Sequence, residues 1–456
     1  MTVEDVDIVV IGMGPGGEYA AGELAQAGLE VVGVDARLLG GECPYYACVP
    51  TKMIVRAADA LAESRRVPSL AGTSRVDPDW TLVARRIREE ATDNWNDRAA
   101  VQRFEDRGGR FVRGRARITA PGEVTVSTSD GERRFRARRG ILLNPGTEPA
   151  IPPVAGLRDT PFWTNREAVA VEVLPQSLLV LGGGPIGTEF AQGFARFGTR
   201  VTVVEAGPQL LSREEPEVGR LLAEVFDAEG ITVHTGVAAH RVRHEGEFTV
   251  ELADGRTLSA ERLLVATGRR TDLAALGVGA VGIPEDGRTI PVDERMRAAD
   301  GVWAVGDVTG RGAYTHMSMY QARIAVADIL GQDGATADYR AVPRVTFTDP
   351  EVAAVGLTEA EARDRGLQVR TGFARIPASA RGWIHKVGNA GLVKLVEDSA
   401  RGVLVGATVV APSGGEVLGA LTVAVHAEVP TAQLRETILA YPTFHRAIGD
   451  ALADLG

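Results

Sequence analysis

Only two of the 456 residues are cysteine, Cys43 and Cys48, and both fall in the stretch GGECPYYACVPTK at 40–52. No apolar run is long enough to span a bilayer, so no membrane segment is expected. The N-terminus, MTVEDVD, lacks the basic flank of a signal peptide, which predicts a cytoplasmic protein. Thiols there are kept reduced, so a disulfide would be transient and catalytic and not a structural staple. An excess of positive charge is missing too: the formal net charge of -10 argues against nucleic acid as a partner. What remains is a Gly-rich globular chain, with 54 Gly and 45% hydrophobic residues, large enough for several domains.

The two thiols have four residues between them and are flanked by Gly40, Gly41 and Pro50. Backbone of this kind can turn tightly enough to bring two Cα atoms within disulfide reach. A pair of inert buried thiols is the alternative. A zinc site fails, because two thiolates with no nearby His or further Cys leave a tetrahedral metal half-ligated, and no metal is expected.

Context favours redox chemistry. The β-branched run DIVVIG breaks into Gly12-Met13-Gly14-Pro15-Gly16-Gly17, a helical pattern follows, and the next strand, EVVGVD, ends in Asp35, 23 residues after Gly12. This is a dinucleotide-binding turn in full context. Gly12 allows the tight turn, Gly14 lets backbone approach a pyrophosphate, and Gly17 lets helix and strand pack closely. Asp35 can accept from a ribose hydroxyl. The pattern recurs as SLLVLG, Gly182-Gly183-Gly184-Pro185-Ile186-Gly187, a helix, and RVTVVE ending in Glu205, again 23 residues after Gly182. Two such folds mean two dinucleotides. Glu205 favours NADH, since a carboxylate repels a 2′-phosphate, although Arg213 leaves room for NADPH. Residues 53–118 read as helical and polar, 115–143 as a β-meander, and EPAIPPVAGL as a crossover between domains.

The ordered set GMGPGG, GGECPYYACVPTK, GGGPIGTEF, LLVATGRRTD, VWAVGDVTG and VPRVTFTDPEVAAVGLTEAEA covers essentially the whole chain and resembles the flavoprotein disulfide reductases, the family of lipoamide dehydrogenase, glutathione reductase and mercuric reductase. The resemblance implies an α/β chain with two Rossmann-like dinucleotide-binding domains and a C-terminal α+β dimerisation domain. By it, residues 1–148 and 285–340 bind FAD, 149–284 bind NAD(P)H, and 341–456 form a homodimer interface that shares the active site. It further implies that Cys43 and Cys48 form a redox disulfide that passes electrons from NADH by way of the flavin to a small disulfide or related electrophile. Cys48 would face the flavin and Cys43 the substrate. Asp307 matches the aspartate on the flavin ribityl chain, and Lys52 and Glu189 match a lysine and glutamate that pair beside the ring.

One departure stands out. Where the family carries His-Pro-Thr-x-x-Glu, this chain has Tyr441-Pro442-Thr443-Phe444-His445-Arg446. A phenol, with an ordinary pKa near ~10, is a poor base at neutral pH, and Arg446 is no base at all. His445 is a candidate replacement, with a packing histidine as the alternative; His316 and His426 have the same status. The segment CPYYACVP is also similar to that of the 2-ketopropyl-coenzyme M oxidoreductase/carboxylase members, in which the His-Glu pair is replaced, though Thr51-Lys52 departs from them. The alternatives are therefore a C-S-cleaving reductase/carboxylase of that type, a quinone or metal-ion reductase, or a non-catalytic flavoprotein. Mercuric and high-molecular-weight thioredoxin reductases use extra cysteines that this chain lacks.

Overall fold

The β-branched run that ends at Ile11 has Ile8, Val9 and Val10 fully buried, which suits it to the interior of a parallel sheet. In the computed structural model, which describes residues 3–455, that is its place. The chain divides into two units, one formed by the segment up to Pro50 with Arg85–Ala150 and Arg269–Asp338, the other by Thr51–Ala84, Ile151–Gly268 and the segment from Tyr339 onward.

In the first unit the sheet order is Arg297–Ala299, Val302–Ala304, Gly131–Leu143, Val3–Ile11, Val31–Asp35 and Arg110–Arg113. From Val302–Ala304 to Arg110–Arg113 the neighbours are parallel. The register Ile11↔Val34 brings the first glycine turn and Asp35 to the same sheet edge, where ligands of such folds bind. Helix Pro15–Gln26 follows the turn, with Pro15 in its first turn as a helix start favours. The expected meander is present as Arg115–Ala120, Glu123–Thr128 and Gly131–Leu143, joined antiparallel. Helix does not extend across the whole of 53–118. It ends at Asp106, after which Gly108 and Gly109 break the chain and Arg110–Arg113 pairs as a strand. Only Val112 is buried there, so the four residues carry no alternation of their own, and the strand is defined by its pairing with Val31–Asp35.

In the second unit a parallel sheet runs Thr232–His234, Arg200–Val204, Ser177–Leu181 and Arg262–Val265. Helix Pro185–Arg196 follows the second glycine turn. The C-terminal part is an antiparallel five-stranded sheet in which Leu392–Asp398 and Val403–Ala411 are buried along their whole length. Helices Gly414–His426 and Arg446–Asp454 close its core through Val417, Leu421, Ile448 and Leu452. Among the described residues no helix is long and apolar enough to cross a membrane.

Candidate active site and dinucleotide turns

The two glycine turns are built alike. Gly12 has φ +92° and Gly182 φ +109°, and an added Cβ would lie 2.1 Å from Asn144 O and 2.4 Å from Ala266 O respectively. Only glycine makes such a turn against the neighbouring strand. At Gly17 and Gly187 a Cβ would meet the carbonyl of Gly12 or Gly182 at 2.0 Å, so these two serve packing between helix and strand. Gly14 and Gly184 differ in kind. A Cβ on Gly184 would meet nothing within 4 Å, and on Gly14 only the Asn144 amide at 3.3 Å. No crowding inside the protein requires glycine at Gly184, and little does at Gly14. Bare backbone at the start of each helix leaves a cradle that a pyrophosphate fits.

The acids at the strand ends grip these turns. Asp35 accepts from Met13 N and Arg37 N, each at 2.8 Å. Burial pushes its carboxyl up, against those two bonds and the nearby Arg113 and Arg37. Glu205 accepts from Gly183 N and Gly207 N, each at 2.6 Å. Each acid therefore shapes the loop beside which a ribose would lie.

The cysteine stretch lies directly on the first turn. Gly40 N donates to Met13 O at 2.8 Å, and a Cβ on Gly41 (φ +70°) would come within 2.8 Å of Gly14 Cα. Cys43 is in the short helix Glu42–Tyr45, Cys48 opens helix Cys48–Arg66, and both are half-buried. Cys48 Sγ is 3.3 Å from the hydroxyl of Thr315, the first residue of helix Thr315–Ile329. That helix is anchored to the glycine turn. Gly16 packs against Ser318, whose hydroxyl reaches buried Asn144 at 3.0 Å. Thr315 went unnoticed in the sequence because it belongs to no motif; its position at a helix start after a glycine-rich loop was the available signal.

Asp307 lies in the same unit on the 3₁₀ turn Gly306–Thr309. It accepts from the Thr147 hydroxyl at 2.8 Å, and Arg269 donates to that hydroxyl at 2.7 Å. Thr147 lies outside the quoted motifs, and Arg269 lies within LLVATGRRTD without being singled out by it.

Lys52 and Glu189 do meet. Their ion pair is 2.5 Å long, Glu189 is 7% exposed and Lys52 35%, and the other Glu189 oxygen accepts from Phe347 N at 2.9 Å. The ammonium lies 4.5 Å from the Phe347 ring centroid, a cation-π contact that also limits its position. Tyr441 is 73% exposed. His445 is half-buried and precedes helix Arg446–Asp454, while the adjoining Phe444 packs on the C-terminal core. Both belong to the second unit and the cysteines to the first. His316 is exposed and stacks on Tyr314 with 5.2 Å between centroids; His426 is exposed at a helix end.

The family model for pyridine nucleotide-disulphide oxidoreductases matches residues 6–327, and the model for the dimerisation domain of that family matches 342–452, which supports a homodimer. A dihydrolipoyl dehydrogenase of Chlorobaculum tepidum is 33% identical over 98% of this chain and 96% of its own length. A mercuric reductase of Streptomyces lividans is 33% identical over 97% of this chain and 94% of its own. Among solved structures, a Cu(II) complex of the HOCl-induced flavoprotein disulfide reductase RclA from Escherichia coli superimposes with a TM-score of 0.85, at 27% identity and with 99% of each chain covered. With two glycine turns fit for two dinucleotides, and these likenesses along its whole length, the chain belongs to the pyridine nucleotide-disulphide oxidoreductase family and is an NAD(P)H-dependent, FAD-using flavoprotein disulfide oxidoreductase.

Proposed function

We propose that the enzyme reduces a small disulfide or related electrophile at a dithiol formed by Cys43 and Cys48, using NADH in preference to NADPH. The observation that carries this reading is the contact of the Gly40-Gly41 backbone with Met13-Gly14, which joins the stretch that bears both cysteines to the first glycine turn. FAD supplies the two-electron exchange between nicotinamide and sulfur. Cys48 opens its helix with Sγ 3.3 Å from the Thr315 hydroxyl, a contact in which either atom can donate and which fixes the sulfur's position. Cys43 serves as the exchanging thiol. Lys52, held by Glu189, supplies fixed positive charge, and Asp307, held through Thr147, orients the ribityl chain.

Functionally the chain divides into an FAD domain of residues 1–148 and 285–340, an NAD(P) domain of 149–284 and an interface domain of 341–456. The homodimer shares its active site through Tyr441 and His445. A transient disulfide suits a cytoplasmic enzyme. Glu205 fits NADH because its carboxylate, held at the second turn by two N–H groups, repels a 2′-phosphate. A metal-ion reductase is the second reading. It is favoured by the likeness to a flavoprotein solved as a Cu(II) complex, while the lack of further cysteines sets the chain apart from mercuric reductases.

Anaerobic dithionite titration tests the dithiol. The wild type is expected to take up four electrons per subunit and Cys48→Ser two. Two electrons in both would refute the relay. NADH oxidation with a panel of disulfides, Cu(II), Hg(II), quinones and 2-ketoalkyl thioethers then separates the substrate classes, and a kcat/KM for NADPH equal to that for NADH would overturn the role of Glu205.

A further inference from the structure

Asp93, Asn94 and Trp95 occupy the left-handed region in succession, with φ of 47°, 57° and 55°. None is glycine, so each Cβ meets the steric penalty of that region. Such a run persists only where its surroundings hold it. Upstream, the π-helical turn Ile87–Ala91 leads to buried Thr92, whose hydroxyl donates to Arg88 O at 3.1 Å and accepts from Trp95 N at 3.3 Å. Asn94 N donates to the same Arg88 carbonyl at 2.6 Å.

The turn faces the cysteine stretch. Trp95 Nε1 donates to Tyr45 O at 3.3 Å, and Tyr45 lies between Cys43 and Cys48. Two residues on, Asp97 Oδ2 accepts from Leu39 N at 2.7 Å, four residues before Cys43. Asp97 is 7% exposed, and Arg113 Nη2 donates to both of its oxygens, at 2.8 and 2.6 Å. Tyr45 is buried, and its phenol is pushed up to about 12, by burial first and then by the carboxylates of Asp97 and Glu18.

We propose that Trp95 and Asp97 are positioning residues for the Cys43/Cys48 pair, the strained turn holding the segment between the two sulfurs and so favouring closure of the disulfide. The inference rests on the dithiol reading above. Closure by glutathione disulfide forms one protein S–S bond and leaves two molecules of glutathione thiol; opening by two glutathione thiols reverses it, with protons conserved. A segment already held loses less freedom on closing, which raises the effective concentration of one thiol at the other.

Trp95→Phe keeps the aromatic body and removes the N–H. Holoenzyme equilibrated in glutathione redox buffers and trapped with iodoacetamide is expected to show a disulfide about fivefold easier to reduce than in the wild type, the scale of one lost hydrogen bond. For a two-electron couple that is an upward shift of about 20 mV. FAD content should stay at the wild-type value and the melting temperature should fall more in the oxidised than in the reduced enzyme, whereas a merely structural role would lower both alike and leave the redox equilibrium in place. Asp97→Asn should shift the equilibrium the same way, and where it fails to fold Trp95→Phe decides alone. Equal equilibrium constants in Trp95→Phe and wild type, with a wild-type disulfide that exchanges with glutathione, overturn the clamp and leave the relay standing. A wild type that forms no Cys43–Cys48 disulfide in any buffer overturns both.

Discussion

Glycines of one motif do different work, and substitution separates them. A Cβ on Gly187 would lie 2.0 Å from the Gly182 carbonyl oxygen, whereas a Cβ on Gly184 would point into open space at the start of helix Pro185–Arg196. Gly187→Ala should therefore cost about 1–3 kcal/mol through overpacking, seen as a lower melting temperature of the apoprotein. Gly184→Ala should leave that melting temperature in place and raise the KM for the nicotinamide nucleotide, because the added methyl occupies the pyrophosphate position. The reverse pattern would mean that the two positions have been assigned the wrong roles. In the first turn the same reasoning makes Gly14→Val lose FAD while Gly17→Ala loses stability, with flavin absorbance per subunit and thermal melts as the measurements.

At the scale of elements, the Cys48–Arg66 and Pro185–Arg196 helices are joined along their length. Within the second unit, Lys52 pairs with Glu189, Ile54 packs under Gly193, and Asp59 pairs with Arg196 at 2.7 Å. Lys52 and Asp59 are seven residues apart, as are Glu189 and Arg196, so two helical turns separate the rungs on each side. Arg196 is 2% exposed and also binds Glu229 and Asp349. Arg196→Met would take the shared cation from these partly exposed carboxylates, with Arg66 still on Asp349, a loss of about 1–3 kcal/mol for its charge-assisted hydrogen bonds, which a chemical denaturation midpoint would report. Asp59 adds a pH dependence. Burial pushes its carboxyl up to about 6, with Arg196 opposing and Asp349 reinforcing. A carboxyl raised on folding binds more protons folded than unfolded, so stability is higher below its unfolded pKa of ~4 and falls as pH rises toward 6. Asp59→Asn abolishes that slope. Its melting temperature relative to wild type should be higher at pH 8 than at pH 4.5, and a constant difference would contradict the raised carboxyl.

For the whole molecule the question is where one active site ends. A homodimer whose interface domain completes the partner's site gives a complementation result that a self-contained subunit does not. Cys48→Ser and the double variant Tyr441→Ala/His445→Ala are each expected to be inactive as homodimers. Mixed, unfolded and reassembled at random, half the dimers are heterodimers, and each has one intact site if the site is shared. Activity should then recover to roughly one quarter of wild type, as two-fold symmetry requires. No recovery, with heterodimers demonstrated by tags, would place the whole site within one chain.

The sequence alone was enough for both nucleotide turns and the sheet strands that carry them, because a β-branched run, a glycine turn, a helix and an acid at a fixed interval are local features whose geometry allows few alternatives. It also paired Lys52 with Glu189, though only through the likeness of motifs, since 137 residues separate them. It did not reveal Thr315, Thr147 and Arg269, or the Trp95 and Asp97 contacts with the cysteine stretch. Each acts through hydrogen bonds to groups distant in the chain, and a hydroxyl, an indole, a guanidinium or a carboxylate leaves no periodic trace of such partners. The strand at Arg110–Arg113 escaped helical counting for a related reason, as its identity comes from pairing with Val31–Asp35 and not from its own residues. Local stereochemistry, then, wrote the cofactor folds into the sequence, while the hold on the two sulfurs was decided by tertiary contacts, because hydrogen-bond geometry exists only once distant segments have been brought together.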